Sequence, residues 1–368
     1  MLRFLVFPGL ILFFLSACGG SSNDTENPQL SSEAQLKEGE VLAQKYCGNC
    51  HAVPAPDLLN RSTWENSVLP RMGYMMGFYP SDAPDQRYNL IEPGYAGTLV
   101  ENAGVFPKKA ILEEEAWKKI EAYYLKNAPS EIEGAPVQDI EEGLKHFKVN
   151  IPDHYLSPPS TTLVHINANK SFFIGDAQTQ QLYVFDDKME LLGRANVKEG
   201  AVSLQEVPNA YLITSMGSFS PTDAPSGLLM ALPKAPNQQP KIILDSLQRP
   251  VHTSFADFNG DGKEDILTCE FAKWTGKLTW WESRELGQAP IPHILRQKPG
   301  AIKAYPVDIN NDKLFDIIAL FGQGDEGIFI YHNEGGGKFR EEKVISFPSS
   351  YGSSYMQIFD FNRDGYWD

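Results

Sequence analysis

Two thiols and an imidazole stand together at Cys47-Gly48-Asn49-Cys50-His51. Cysteines at this spacing can each form a thioether with one vinyl group of a porphyrin. The adjoining imidazole then lies beneath the ring and can take the iron as proximal ligand. The C-x-x-C-H order is therefore an attachment pattern for c-type haem. The same thiols are open to other chemistry. A thioredoxin-like redox pair needs a strand before it and a helix after it, and half a zinc site needs two more ligands close by. The next histidine is His146 and the next cysteine is Cys269, so the zinc reading lacks its second half.

A second group of side chains offers only oxygen. Asp257-Phe258-Asn259-Gly260-Asp261-Gly262-Lys263-Glu264-Asp265 runs into Ile266-Leu267. Asp308-Ile309-Asn310-Asn311-Asp312-Lys313-Leu314-Phe315-Asp316 runs into Ile317-Ile318, and Asp360-Phe361-Asn362-Arg363-Asp364-Gly365-Tyr366-Trp367-Asp368 ends the chain. Side-chain oxygens at loop positions 1, 3, 5 and 9 can converge on one hard cation such as Ca²⁺. The predicted ligands are Asp257, Asn259, Asp261 and Asp265, then Asp308, Asn310, Asp312 and Asp316, then Asp360, Asn362, Asp364 and Asp368. An EF-hand is excluded, because its glutamate at position 12 is replaced by Thr268 and Ala319. Without a metal the same residues would form Asx-turns. Lys313 replaces glycine at position 6, where left-handed geometry costs a non-glycine residue about 1 kcal/mol, so the second site is expected to be the weaker.

The elements that must position these groups change character along the chain. Ser32 and Gln35 form a capping-box pattern, predicting a helix over 33–46 that delivers into Cys47. A second helix is predicted from near Leu112 to Ala128. Glu113, Glu114 and Glu115 suit its N-terminal end, and Trp117, Ile120, Tyr124 and Leu125 recur on one face. Between them, Trp64 to Leu69 reads as a helix broken near Pro70, and 78–106, rich in Pro, Gly and Tyr, reads as a loop. Beyond Ile151 short β-type runs alternate with turn residues, as in Gln181-Leu182-Tyr183-Val184-Phe185. With the Asp/Asn loops recurring about every 50 residues, this rhythm points to propeller blades.

Residues 33–129 resemble class I cytochrome c in their order of helix, C-x-x-C-H, loops and aromatic-faced helix. The resemblance implies an all-α domain with haem c on Cys47, Cys50 and His51. It also implies that the first and last helices cross at a small and an aromatic residue, for which Gly39 and Tyr123 or Tyr124 are the candidates. That family usually supplies methionine as the distal ligand, and three of the eight methionines stand at Met72, Met75 and Met76. Met72 is the first choice, with Met76 and then Met75 as alternatives. Residues 151–368 resemble the FG-GAP or VCBS-type repeat of integrin-like β-propellers, which implies calcium in the Asp/Asn loops. The stretches 161–194 and 201–233 have the strand rhythm but no such loop, and read as blades without cation sites. The chain stops where the other repeats continue into a strand, so the propeller is expected to be open-ended and the chain to be a portion of a longer protein.

The start of the chain carries Arg3, an apolar run from Phe4 to Leu15, and Leu15-Ser16-Ala17-Cys18. This resembles a bacterial lipoprotein signal, implying cleavage before Cys18 and lipidation of that thiol, so that a lipid anchor holds the protein extracytoplasmically on a membrane. The expected organisation is signal peptide 1–17, flexible tether 18–32, cytochrome domain 33–129, linker 130–150 and propeller 151–368. A net charge of −15 argues against nucleic acid as a partner, and suits cations, basic proteins or a merely solvated acidic surface. Cys269, in an apolar run, reads as a core thiol. The scattered His165, His252, His293 and His332 form no catalytic constellation, and Trp274, Trp280 and Trp281 read as blade core or a binding face.

The expected function is electron transfer to an unnamed redox partner protein, with the propeller docking a partner or polymer. Two alternatives remain open at this level. One is an oxidoreductase, like a quinoprotein dehydrogenase, whose propeller binds a substrate or second cofactor. The other is a surface adhesion or carbohydrate-binding protein.

Overall fold

The computed structural model describes residues 28–49, 51–79, 90–132, 134, 143, 146–235, 237–285, 287–348 and 351–368. Cys18 and Cys50 lie outside the described residues, and so does the apolar run before Cys18.

Helix α1 spans Pro28–Tyr46 and passes into a single 3₁₀ turn, Cys47–Asn49. It starts earlier than expected, so Ser32 is an internal helical residue and the proposed tether is helical from Pro28. At the other end of the helical region, α5 (Glu114–Asn127) buries Trp117, Ile120 and Tyr124 along one stripe. Glu114 and Glu115 sit in its first turn and Lys126 in its last, matching the helix dipole at both ends. The two helices cross at Gly39. A Cβ there would lie 2.1 Å from the Lys119 carbonyl oxygen and 2.9 Å from the Tyr123 Cβ. Only glycine permits this approach, and Tyr123 is the aromatic partner.

Between these helices the chain departs from expectation twice. Pro70 does not break the helix. Short α2 (Arg61–Thr63), a π-helical turn (Trp64–Val68) and α3 (Leu69–Met75) form one continuous run. The Leu69 N–H reaches back five residues to the Trp64 carbonyl, and Pro70 falls in the first turn of α3, where a missing N–H is tolerated. The stretch expected to be all loop contains α4 (Tyr95–Asn102), which buries Ala96, Gly97 and Val100. Pro93-Gly94 directly before it hid the helix, because such residues mark turns.

The remaining elements are strands, with no further helix among the described residues. The first sheet is β1 (Thr161–Ile166), β2 (Phe172–Asp176), β3 (Gln181–Phe185) and β4 (Leu191–Asn196). The second is β5 (Ala201–Val207), β6 (Ala210–Ser215), β7 (Gly227–Pro233) and β8 (Lys241–Leu247). The third is β9 (Pro250–Ala256), β10 (Asp265–Glu270), β11 (Lys277–Glu282) and β12 (Ile291–Arg296). The fourth is β13 (Ala301–Val307), β14 (Asp316–Phe321), β15 (Gly327–Asn333) and β16 (Phe339–Ser346). Every sheet is an antiparallel meander with its strands side by side in chain order. Such four-stranded units are the blades of a β-propeller.

Cores form between successive sheets. Leu163, Phe173 and Leu182 of the first sheet pack on Leu204, Ile213 and Met230 of the second. Leu229, Leu244 and Leu247 meet Ile266 of the third. Leu267, Cys269, Leu278 and Trp280 meet Ala304, Ile317, Phe321 and Phe329 of the fourth. Strand β10 is buried along its whole length because neighbours cover both faces. Outermost β16 is mostly exposed, and its Arg340, Glu341, Glu342 and Lys343 keep that edge polar.

The helical and β regions touch at one place in particular. Lys273 Nζ and Trp274 Nε1 donate to the Leu90 carbonyl at 3.3 and 3.2 Å. Thr222 donates to the Glu92 carboxylate, and Phe106 meets the Trp274 ring edge-on at 5.5 Å. Trp274 is thus an interdomain contact, whereas Trp280 is blade core stacked on His293 at 4.2 Å.

Candidate functional site

Cys47 opens the 3₁₀ turn after α1 inside the helical core, buried with Ala43, Trp64, Leu69, Met76 and Tyr124. Met72, partly buried, packs on the same cluster, while Met75 is half-buried and lies outside it. The structure therefore gathers Met72 and Met76 with Cys47.

His51 is half-buried, with its Nδ1 2.8 Å from the Ala52 carbonyl oxygen. A carbonyl can only accept, so Nδ1 is the donor in this contact and Nε2 is the nitrogen left to face a metal. A ring held this way has its distal nitrogen ready for a metal. The segment after it is pinned by two bonds that the sequence reading missed. Trp64 Nε1 donates to the Pro56 carbonyl at 2.8 Å, and the Tyr124 hydroxyl donates to the Pro54 carbonyl at 3.0 Å. Burial pushes the Tyr124 hydroxyl above its ordinary pKa, so it remains a donor. Its ring lies 4.4 Å from that of Trp64. The closely spaced Pro54 and Pro56 were the available signal, because proline favours extended chain whose carbonyls need outside donors.

Two of the oxygen-rich loops connect the first and second strands of the third and fourth sheets, and the third, at 360–368, follows β16. In the first two sheets the same connection is a short turn, through Asn167–Ser171 and Pro208–Asn209. All three loops fold alike. Asp257 accepts from the Gly260 and Gly262 N–H groups at 2.7 and 2.8 Å, Asn259 from Asp261 at 3.0 Å, and Asp261 from Lys263 at 2.9 Å. Asp308 accepts from Asp312 and Lys313 at 3.1 and 3.0 Å, Asn310 from Asp312 at 2.9 Å, and Asp312 from Leu314 at 2.8 Å. Asp360 accepts from Asp364 and Gly365 at 3.0 and 2.9 Å, Asn362 from Asp364 at 2.9 Å, and Asp364 from Tyr366 at 2.9 Å. Lys313 takes the left-handed conformation anticipated for position 6, with φ 73°.

Position 9 has a role that spacing did not reveal. Asp265, fully buried, accepts from Phe258 N at 3.1 Å and from Ser283 N at 2.8 Å. Asp316, also buried, accepts from Ile309 N at 3.3 Å and Asn333 N at 2.7 Å. Asp368 accepts from Phe361 N at 2.8 Å. Each of the first two clamps the start of its loop to the end of the third strand of its sheet. The Asp265 carboxyl is held above the usual carboxylate range, first by burial and then by the like charges of Asp261 and Asp257. Three acids therefore feel one another in this loop. Among the described residues no three His, Cys, Asp or Glu side chains form a ready metal cluster.

The remaining sequence candidates do not converge. His293 pairs with Glu282 at 3.0 Å, His332 with Glu342 at 2.9 Å, and His165 with Asn167 at 3.0 Å. Cys269 is fully buried, and burial pushes its thiol well above the ordinary range, as suits a core residue.

No curated protein sequence matches this chain. Among solved structures, the Dos1 propeller aligns at 9% identity with a TM-score of 0.35, covering 50% of this chain and 47% of that one. A gluconolactonase from Xanthomonas campestris aligns at 13% identity with a TM-score of 0.34, covering 53% of this chain and 64% of that one. The chain thus spans about half the length of the first and under two thirds of the second. The model of the FG-GAP-like repeat matches residues 257–319 and 308–368. The C-terminal part of the chain therefore carries FG-GAP-like repeats, in a β region built of four antiparallel propeller-type sheets.

Proposed function

We propose that this chain is a membrane-anchored, extracytoplasmic c-type cytochrome that transfers electrons, and that its calcium-binding propeller docks a protein or polymer partner. One observation carries the reading. A C-x-x-C-H sequence leaves the end of α1 with its first thiol in the helical core and its imidazole proton held on Nδ1 by Ala52. This donor set fits a haem. Cys47 and Cys50 would hold it covalently, His51 Nε2 would face the iron, and Met72 or Met76 would supply sulfur from the opposite side. Bound there, the haem would supply one-electron redox chemistry. The chain's own part is to fix the imidazole, keep Trp64, Trp117 and Tyr124 packed against water, and hold the methionine helix in place.

For calcium, the support is the repeated turn. Asp257, Asn259 and Asp261, with their counterparts in the other two loops, keep oxygen lone pairs beyond those used by backbone N–H groups. The like charges of Asp261 and Asp257, which add to burial in raising the Asp265 carboxyl, are what a bound cation would offset. The anchor is proposed on Arg3, the apolar run from Phe4 to Leu15 and the Leu15-Ser16-Ala17-Cys18 sequence that ends it.

The test is expression in a bacterium competent for cytochrome c maturation, followed by haem staining of a denaturing gel. Haem should stay with the polypeptide, and should be lost in Cys47→Ala/Cys50→Ala. A wild-type protein without covalent haem, in which both thiols react with iodoacetamide, would end the cytochrome reading.

A further inference from the structure

We propose that the groove between the innermost strands of the four sheets is a binding site for a small organic carboxylate with a sugar-like body, and that Lys303 is its anchor. Strands β1, β5, β9 and β13 all line this open groove, whose volume is about 640 Å³. That is the size of a small-molecule site.

The charge inside is unusual for so acidic a chain. Lys303 projects from β13 as a half-buried ammonium, and makes no ion pair among the described residues. Two aromatic faces flank it instead, Tyr355 with its centroid at 4.7 Å and Tyr305 at 5.8 Å. Cation–π contact holds the amine in position without cancelling its charge. Glu206, the acid that lines the groove, is already paired with Lys234 at 2.6 Å.

The polar groups around Lys303 add donors. His252 accepts the Ala304 N–H at its Nδ1, at 3.4 Å, so its proton sits on Nε2 and the ring offers a donor. Ser203 and Gln205 line the opposite side of the groove from β5. Tyr305 is fixed by donating its hydroxyl to the Met356 carbonyl at 2.9 Å. An ammonium with no counter-ion among the described residues and a neutral imidazole N–H suit a carboxylate, and the Ser203 hydroxyl and Gln205 amide suit a body rich in hydroxyl groups. A neutral sugar would leave the ammonium uncompensated, and a cation would be repelled.

This site does not rest on the haem reading, and either can fail without the other. The test uses the full chain, with potassium galacturonate as probe and galactose as its neutral counterpart at equal ionic strength. Limited reductive methylation followed by peptide mass spectrometry reads the accessibility of the Lys303 amine. Galacturonate should cut its labelling several-fold while galactose should not. In calorimetric titration, Lys303→Met should weaken galacturonate binding by about 10-fold or more, the loss expected for one charge-assisted bond. Labelling that neither sugar changes, protection by both alike, or wild-type affinity in Lys303→Met would overturn the assignment. If Lys303→Met does not fold, the labelling of the wild-type chain decides alone.

Discussion

Replacing Gly39 by alanine should force α1 and α5 apart. The new Cβ would stand 2.1 Å from the Lys119 carbonyl oxygen, and close C···O contacts begin near ~3.3 Å. The helices must therefore separate by about 1.2 Å, since a backbone oxygen has no rotamer to escape into. Overpacking of this kind costs about 1–3 kcal/mol, and a gap of that width forfeits up to half of the dispersion across the crossing. Alanine returns about 1 kcal/mol of helix propensity. The expected net loss is about 2 kcal/mol, a fall of roughly 10 °C for a unit of this size. Thermal unfolding at 222 nm, where the helical region dominates, measures it. Gly48→Ala serves as the control, because its Cβ would meet only Val53 at an ordinary 3.5 Å. An unchanged or raised midpoint in Gly39→Ala would refute the close crossing.

On the proposed cytochrome reading, Met72→Ala should abolish any sulfur-to-iron charge-transfer band, lower the reduction potential and open the iron to carbon monoxide, with covalent haem retained. If Met76→Ala does this and Met72→Ala does not, Met76 is the ligand. Chelator should lower the melting temperature of the β region while leaving the haem spectrum intact, since a cation at one hundred times its Kd adds about 2.7 kcal/mol. Equal melting in chelator and in millimolar calcium would remove the metal from the loops. His252 should make stability pH-dependent, because burial, and then Lys303, push its pKa down to about 3. The unfolded imidazole takes its proton near ~6.5, so stability is full above that value and drains away as pH falls towards the folded pKa. By pH 4 the loss is about 3 kcal/mol at ~1.36 per unit, and His252→Gln should lack it. Urea midpoints at the two pH values give the comparison, and equal acid loss in both proteins would contradict it.

The β region was legible because its signals are local. Alternation in runs such as Gln181 to Phe185, and loops recurring about every 50 residues, mark strands and repeats without any knowledge of neighbours. Gly39 and Tyr123 could be paired only through the resemblance of the helical region to a known fold, and the structure brings them together. What escaped was context. Pro70 reads as a breaker in one dimension, and only the π-helical turn before it makes room for the ring. α4 hid behind Pro93-Gly94. Lys303 gives no signal at all in sequence, because its lack of a carboxylate partner among the described residues is a property of four strands meeting.

Asp265 and Asp316 separate two duties within a single repeat. Each holds its loop to the sheet through backbone N–H groups, so positions 1, 3 and 5 need not maintain the blade. Mutational drift can alter those three oxygens, and with them ion choice and affinity, while the clamp preserves the strands. The first two sheets show that the meander does not need the loop, because they have short turns at the same corner and the same strand order beneath. A repeat of this design can gain or lose an ion in a few substitutions. Copying such a unit along a gene supplies new surface without first solving the folding problem again.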